Sequence, residues 1–144
     1  MKLIFLVPNQ PVIPESASSY RDLSSCELID LNGNHWRKIL TIVAKLSASK
    51  EEDWRIVRDK ALWDRVEFIF DVSTARASVG WLFIVGKSFE EAFPTPSQAI
   101  LLGDKHVARA HKNIIWTPYL DYRQFPNDLI DTLTSYMREH QSLC

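Results

Sequence analysis

The sequence is short of several features that would identify a function at once. Only two of its 144 residues are cysteine, Cys26 and Cys144, and their wide separation fits neither a disulfide framework nor a metal site. Such sparing use of cysteine suits a reducing cytosol, so we expect a cytoplasmic protein. No apolar stretch reaches the roughly 20 residues that span a bilayer. The apolar run at residues 1–7 is too short for a signal peptide, so no membrane partner is expected.

An excess of one charge is lacking as well. Lys and Arg number 17 and Asp and Glu number 18, which gives a formal net charge of −1. No overall field therefore draws the protein to nucleic acid or to a membrane surface, and any anion site must be a local patch. With only four glycines the chain has no Gly-rich phosphate loop. It also has no nucleophile elbow and no histidine cluster at metal-ligand spacing, so no metal and no other cofactor is expected.

What the chain does contain is a hydrophobic fraction of 46% in a length typical of one domain. Continuous apolar runs predict buried strands at 3–7 and 79–85, and shorter strands follow at 98–102 and 113–116. Helical spacing of apolar residues predicts amphipathic helices over 35–47, after Ser49, and from Asn127 onward. We therefore predict a single α/β domain over residues 1–144, a three-layer αβα sandwich with a mainly parallel central sheet.

Three segments are harder to interpret. Residues 12–33 show little periodicity, which is typical of a long loop. Apolar alternation over 66–72 favours a strand, but only six residues separate it from the strand at 79–85, too few for a parallel crossover. Either those two strands are antiparallel or 66–72 is the end of a helix. Residues 88–93 are expected to form a short helix.

Polar and aromatic side chains follow the predicted strands. Asn9 comes directly after the first strand, where its carboxamide could hold a water or a substrate carbonyl, or simply form an Asx turn. Gly86-Lys87 ends the strand at 79–85 and could bind an anion. Tyr119 follows the strand at 113–116, after the break at Thr117-Pro118. Because open α/β sheets bind ligands beyond the carboxyl ends of their strands, we expect these turns to meet around a crevice.

Other candidates flank this crevice. Asn34 and His35 could face the same ligand, although Asn34 is also a plausible helix cap. Arg123, between Tyr122 and Phe125, could contact nucleic-acid phosphates or wedge into a base stack, or it could be a solvent-exposed arginine that covers an aromatic pair. One dense basic segment follows the turn at 103–104 and contains Lys105, His106, Arg109, His111 and Lys112.

Taken in order, these pieces resemble the uracil-DNA glycosylase superfamily, nearest its mismatch-specific uracil and thymine-DNA glycosylase branch. Val7-Pro8-Asn9-Gln10 stands where that family has Gly-Ile-Asn-Pro after its first strand. Gly33-Asn34-His35-Trp36-Arg37-Lys38 stands where it has Gly-Asn-His/Arg-Phe-Trp-Lys. Residues 83–90 are similar to its Leu-Gly-Lys-x-Ala-Tyr-Glu motif, and residues 115–126 are similar to its strand and DNA-inserting loop. The resemblance covers roughly residues 3–46 and 79–140.

The resemblance implies an enzyme that hydrolyses the N-glycosidic bond of a damaged or mismatched base flipped out of DNA. It gives Asn9 the catalytic role of positioning the attacking water. Residues near it would form the base pocket: Val7, Pro8, Gln10, Tyr20, Asn34 and His35. A wedge would keep the duplex open: Tyr119, Leu120, Tyr122 and Arg123. Cations would bind the DNA phosphates: Arg37, Lys87, Lys105, Arg109 and Lys112.

Some residues depart from the family pattern. The glycines that flank its first motif are replaced by Val7 and Pro11, and glycine there lets the backbone approach a ligand. The aromatic residue that stacks on the base is Ile29 here, with Tyr20 as a substitute. The small serines of the wedge loop are replaced by bulkier residues at 119–121. An alternative therefore stays open, a non-catalytic member of the fold that binds a protein or a small ligand in the same crevice.

Overall fold

The computed structural model of the chain describes residues 2–140. Within that range the strands are β1 (Leu3–Leu6), β2 (Val66–Ile69), β3 (Trp81–Val85), β4 (Ile100–Gly103), β5 (Val107–His111) and β6 (Ile114–Thr117). They form one sheet in the order β2-β1-β3-β6-β5-β4. The first four strands of that order are parallel, whereas β5 is antiparallel to both β6 and β4. The sheet is therefore mixed, and the prediction of an α/β protein is confirmed.

The helices of the described chain are α1 (Ser25–Asn32), α2 (Asn34–Ser47), α3 (Trp54–Ile56), α4 (Leu62–Arg65), α5 (Val72–Ala77) and α6 (Asn127–Glu139). A 3-10 turn precedes α1 at Tyr20–Asp22, and a π-helical turn joins α3 to α4 at Val57–Ala61. The amphipathic helices predicted from 35 to 47 and from Asn127 are confirmed, because their periodic apolar residues all face the sheet.

The parallel strands are aligned in register by a row of buried aromatic and aliphatic residues. Phe5 of β1 lies opposite Phe68 of β2 and Phe83 of β3, and Phe83 lies opposite Ile115 of β6. Phe5 stacks on Phe83 with ring centroids 4.4 Å apart. Because the four strands are in register, their carboxyl ends lie together at one edge of the sheet.

The two faces of the sheet are covered unequally. The first face packs against α1, α2 and α6 through a core in which α2 contributes Ile39 and Val43 and α6 contributes Leu129 and Leu133. On the second face, Ile4, Leu6, Leu82 and Ile84 meet the six-residue α5 and two phenylalanines of the segment after β3, Phe89 and Phe93. The second covering layer is thus thinner than the sequence led us to expect.

Several local predictions were wrong. Residues 12–33 are not a plain loop, because two capping boxes start structure within them. Ser19 with Asp22 begins the 3-10 turn, and Ser24 with Glu27 begins α1. The helix expected after Ser49 begins only at Trp54, with Asp53 as its cap. Residues 88–93 form turns rather than a helix, and β5, which was not foreseen, lies within the basic segment.

The short connection between β2 and β3 has a simple explanation. Both segments are strands and both are parallel to β1, which lies between them. The connection at 70–80 therefore crosses over β1, and α5 supplies the crossover helix. Neither alternative derived from the sequence holds, because both strands are shorter than predicted: β2 ends at Ile69 and β3 begins at Trp81, so residues 70–80 are available for the crossover.

Candidate functional site

The loops that follow β1, β3 and β6 meet beyond the carboxyl ends of those strands. They line a cleft of about 590 Å³, to which the first loop contributes Pro8 and Asn9, the second Gly86 and Lys87, and the third Tyr119. The turn after the opening strand and the turn before the closing helix, which are far apart in sequence, are therefore in contact. The expected crevice at this edge of the sheet is present.

Tyr119 is the centre of a hydrogen-bonded chain in this cleft. Its hydroxyl oxygen lies 3.0 Å from Asn9 Nδ2, which donates to it, and 2.6 Å from His35 Nε2. The phenol can donate its own proton to His35 Nε2 when that nitrogen is unprotonated. The hydrogen bonds then run in one direction, from Asn9 through Tyr119 to His35. Because Asn9 uses its nitrogen here, its Oδ1 remains as an acceptor without a hydrogen bond to any described residue, and the residue as a whole is exposed.

The Tyr119 phenol is held in its neutral form. Burial raises the pKa of Tyr119; the hydrogen bond from Asn9 opposes that rise and the nearby Asp121 carboxylate adds to it. A neutral phenol both donates and accepts, and the chain from Asn9 to His35 requires both. The neutral Tyr119 phenol therefore joins Asn9 and His35 through hydrogen bonds.

Gly86 contributes to the wall of the cleft. Its φ angle is 74°, in the left-handed region that favours glycine, and its N–H donates to the Thr117 carbonyl at 3.0 Å. A Cβ at this position would lie 3.6 Å from Tyr119 Cδ1. The turn at Gly86 thus joins the ends of β3 and β6 and allows Lys87 to enter the cleft lining.

Asp121 organises the loop between β6 and α6. Its carboxylate accepts a hydrogen bond from the Arg123 N–H at 3.0 Å and forms an ion pair with Lys38 at 3.3 Å. The Arg123 N–H and Lys38 both lower the pKa of this carboxyl. Its backbone carbonyl accepts from the N–H groups of Gln124 and Phe125. Asp121 is therefore a structural anchor of the loop, and Lys38 balances its charge.

Three of the predicted site residues, Val7, Leu120 and Tyr20, are buried and present no side chain to a ligand in the cleft. Val7 is 1% exposed, and its N–H is used by the Ile69 carbonyl of β2. Leu120 is also 1% exposed and packs into the core, so it anchors the loop instead of projecting from it. The exposed members of the predicted wedge are Tyr122 and Arg123.

Tyr20 does not reach the cleft. Its hydroxyl accepts from the Phe68 N–H at 2.7 Å and lies 3.2 Å from the Phe68 carbonyl, to which it donates. Its ring packs edge-on against Trp63 and Phe68. Together with Gln10 it lines a separate depression beside the end of β2. Tyr20 is thus a core residue, and the structure does not bring Tyr20 or Gln10 to the cleft that contains Asn9.

The first turn of α2 brings His35 into the site. Gly33, with φ 77°, is the N-cap, so Asn34 is the first helical residue and not the cap that the sequence indicated. Asn34 is exposed and makes no capping hydrogen bond. His35, one residue later, is placed against Tyr119 by the same backbone turn.

The predicted phosphate-binding cations do not lie together: some lie at the carboxyl ends of the parallel strands and one lies at the opposite ends. Lys87 and Arg109 line the cleft, and Lys105 lies in the turn between β4 and β5 at the same edge. Arg37 is exposed near the start of α2. Lys112 lies in the turn between β5 and β6, at the opposite edge. At about 3.3 Å per residue, Lys112 is roughly 20 Å from Lys105, so the basic segment is not one patch.

Sequence reasoning missed further cleft residues. Glu90 lines the cleft beside Lys87, and Thr95, Trp116 and Gln124 complete its wall. Glu90, Trp116 and Gln124 all fall inside the motifs that carried the resemblance, which was the one available signal. Thr95 belongs to an irregular segment whose position depends on tertiary packing.

Within residues 2–140 no group of three or more His, Cys, Asp and Glu side chains is placed to hold a metal ion. None of the helices in the described part of the chain has the length and apolar character needed to cross a membrane.

The fold and site define an α/β protein with a cleft at the carboxyl ends of its parallel strands. The chain belongs to a family of unknown function, DUF6942, whose model matches residues 1–138. No curated protein and no solved structure matches the chain.

Proposed function

We propose that this protein is a uracil-DNA glycosylase-like enzyme that hydrolyses the N-glycosidic bond of a damaged or mismatched base in DNA. The observation that carries the proposal is the carboxamide of Asn9, which lines the cleft beside the loop of Tyr119 and Arg123, is held by Tyr119 through Nδ2, and keeps Oδ1 without a hydrogen bond to any described residue. An oriented acceptor at the end of a central strand, opposite an exposed arginine loop, suits water-dependent cleavage of an extruded base.

The proposed role of Asn9 is to orient the attacking water. Its Oδ1 accepts a hydrogen bond from a water, whose oxygen attacks the sugar C1′ while the bond to the base nitrogen breaks and the electron pair leaves with the base; the proton that the water loses passes through solvent to the departing base. An amide cannot remove a proton, so the reaction depends on an oxocarbenium-like sugar that forms before attack is complete. The hydrogen bond to Tyr119 supports this role because it limits rotation of the Asn9 side chain.

Cations near the cleft support DNA as the partner. Lys87 and Arg109 belong to its lining, and Arg123 is exposed on the adjoining loop. On a chain with a net charge of −1, binding would depend on such local cations. If these three contact phosphates of a duplex, the slope of log affinity against log salt is about −3.

A second function is favoured by one specific contact. The Tyr119 hydroxyl lies between Asn9 and His35, and an extruded base would have to displace or bypass it. This arrangement suits a non-catalytic member of the fold that binds a small ligand or a protein segment in the cleft. The ligand would hydrogen-bond to Asn9 Oδ1 and to the cations around it.

The test is base release from labelled DNA. Duplexes and single strands that contain uracil, ethenocytosine or hypoxanthine are incubated with the protein, and abasic sites are cleaved and counted. We expect product with the wild type and a loss of about a hundredfold or more in Asn9→Ala. Gln98→Ala, which alters an exposed carboxamide that is not part of the cleft lining, is the matched control and should keep full activity. Binding without product would favour the second function.

A further inference from the structure

The two outer strands of the sheet, β2 and β4, differ in how their outward backbone groups are protected. At one edge, the N–H and the carbonyl of Phe68 in β2 both point outward and both bond to the Tyr20 hydroxyl, at 2.7 and 3.2 Å. A side chain thus occupies the place of a neighbouring strand. Unpaired edges invite pairing with other chains, and natural proteins commonly block them. The β2 edge is blocked in this way.

The other edge, β4, is open. Among the described residues, β5 is the strand that pairs with β4, in an antiparallel ladder from Ile100 opposite Ala110 to Gly103 opposite Val107. In such a ladder every second residue directs both its N–H and its carbonyl away from the partner strand. Half of the backbone groups of β4 are therefore available to another strand.

The side chains of this edge lack the usual protection. Residues 97–103 include no charged residue and no proline, the two residue classes that commonly guard exposed edges. Ile100 is 50% exposed and Leu101 is 53% exposed, and as successive strand residues they point to opposite faces. The open edge is therefore apolar on both sides.

We propose that β4 pairs with β4 of a second copy of this chain, antiparallel and about a two-fold axis perpendicular to the sheet. Leu101 lies on that axis opposite its own copy, and the two sheets join into one continuous sheet. Antiparallel pairing by this axis keeps corresponding faces on the same side, so Ile100 of each copy meets Leu102 of the other. Apolar side chains thus meet apolar side chains on both faces.

The apolar residues of β4 match a second copy of themselves on both faces, and the charges near β4 do not oppose that pairing. In this register Asp104 lies opposite Gln98, and Lys105 lies opposite Ser97. No charge meets a like charge, which would oppose pairing. Because of the same two-fold axis, the carboxyl ends of the parallel strands point in opposite directions in the two copies, so both clefts stay open. The dimer is therefore independent of what the cleft binds.

The strand is short, so the association is expected to depend on concentration. β4 has four residues, fewer than the typical five to six, and the area that it buries is below the range of permanent dimers. Sedimentation velocity of the full chain, from low micromolar to near-millimolar concentration, should therefore show a monomer that converts to a dimer.

Charged substitutions at the axis give the decisive measurement. Leu101→Glu and Leu101→Lys each place like charges opposite one another, so each alone should stay monomeric, with affinity reduced at least about tenfold. Mixed in equal amounts they place Glu opposite Lys, and the dimer should return. Leu101→Glu can pair with the neighbouring Arg109, so the fold is retained, as a melting curve would verify.

Val79→Glu is the matched control, because Val79 is 84% exposed and lies outside β4. This variant should dimerise like the wild type. A wild type that stays monomeric throughout would overturn the proposal. A dimer that persists in Leu101→Glu, or a Glu and Lys mixture that remains monomeric, would overturn it as well.

Discussion

Removing one oxygen atom from the cleft tests how the site is held together. Tyr119→Phe keeps the aromatic ring but deletes the hydroxyl that joins Asn9 to His35. Asn9 and His35 are both exposed, so water can replace the lost partner of each. The variant should therefore fold normally while the Asn9 carboxamide becomes free to rotate.

The two hydrogen bonds set the size of the effect. Each is worth about 0.5–1.5 kcal/mol net, and because the freed groups are rehydrated, we expect the free energy of unfolding to fall by no more than about 1 kcal/mol. In the proposed reaction, each 1.4 kcal/mol of lost orientation slows the step about tenfold, so a decrease of about 10- to 100-fold in single-turnover base release is expected.

The variant should also change how stability depends on pH. Because burial raises the pKa of Tyr119, the unfolded chain loses this proton at a lower pH than the folded protein does. The corresponding stability is complete below a pH of about 10 and is lost as the pH rises through the folded pKa. Tyr119→Phe removes this loss, so its stability should decline less steeply in alkali than that of the wild type.

The assays are chemical denaturation at several alkaline pH values and single-turnover base release. Tyr122→Phe is the matched control, because the hydroxyl of Tyr122 makes no hydrogen bond to any described residue. A Tyr119→Phe variant that matches the wild type in both assays, or that is less stable at neutral pH by several kcal/mol, would rule out this role for the hydroxyl.

Three further outcomes follow from buried and paired groups. The Arg65 guanidinium lowers the pKa of Glu52 to about 2, so the stability from this pair is present above the ordinary value near 4.5 and is lost as the pH falls toward 2; Glu52→Gln should flatten that acid decline in denaturation curves. Leu120→Ala empties a core position and should cost about 2–5 kcal/mol in denaturant unfolding, whereas Tyr122→Ala at an exposed position should be near neutral. Tyr20→Phe leaves two outward backbone groups of β2 without a partner, so a loss of about 1–3 kcal/mol is expected by thermal unfolding.

Elements with a strong local signal could be predicted from the sequence. β1 and β3 are continuous apolar runs, and α2 and α6 repeat apolar residues at helical spacing. β5 was missed because its inward residues are the small Ala108 and Ala110, set among cations. α1 was missed because its apolar pattern is weak, although the Ser24 and Glu27 capping box marked its start.

Sheet order depends on contacts between distant parts of the chain, and local patterns do not encode it. No local pattern indicated that β1 lies between β2 and β3. The connection between those two strands was judged too short because both strands were predicted longer than they are. The candidate site, too, could be predicted only in part. The approach of the turns around Asn9 and Tyr119 followed from the rule on strand ends, because both lie just after parallel strands.

The hydrogen bond between Tyr119 and His35 could not be read from the sequence. Nor could the burial of Leu120 and Tyr20, because each depends on which residues of other elements pack around it. A hydroxyl that closes a strand edge, as Tyr20 does, leaves no periodic trace. The residue types of Leu120 and Tyr20 suggested that each contacts a ligand, whereas their packing shows that each is a structural residue.

Asn9 is tested most directly by incubating wild type and Asn9→Ala with DNA that contains uracil, ethenocytosine or hypoxanthine, followed by mass spectrometry of both products. If Asn9 orients a water for attack at the sugar, the wild type should release a free base and leave an abasic sugar. Asn9→Ala should release little or none. No free base from the wild type, or equal release from wild type and Asn9→Ala, would contradict the account.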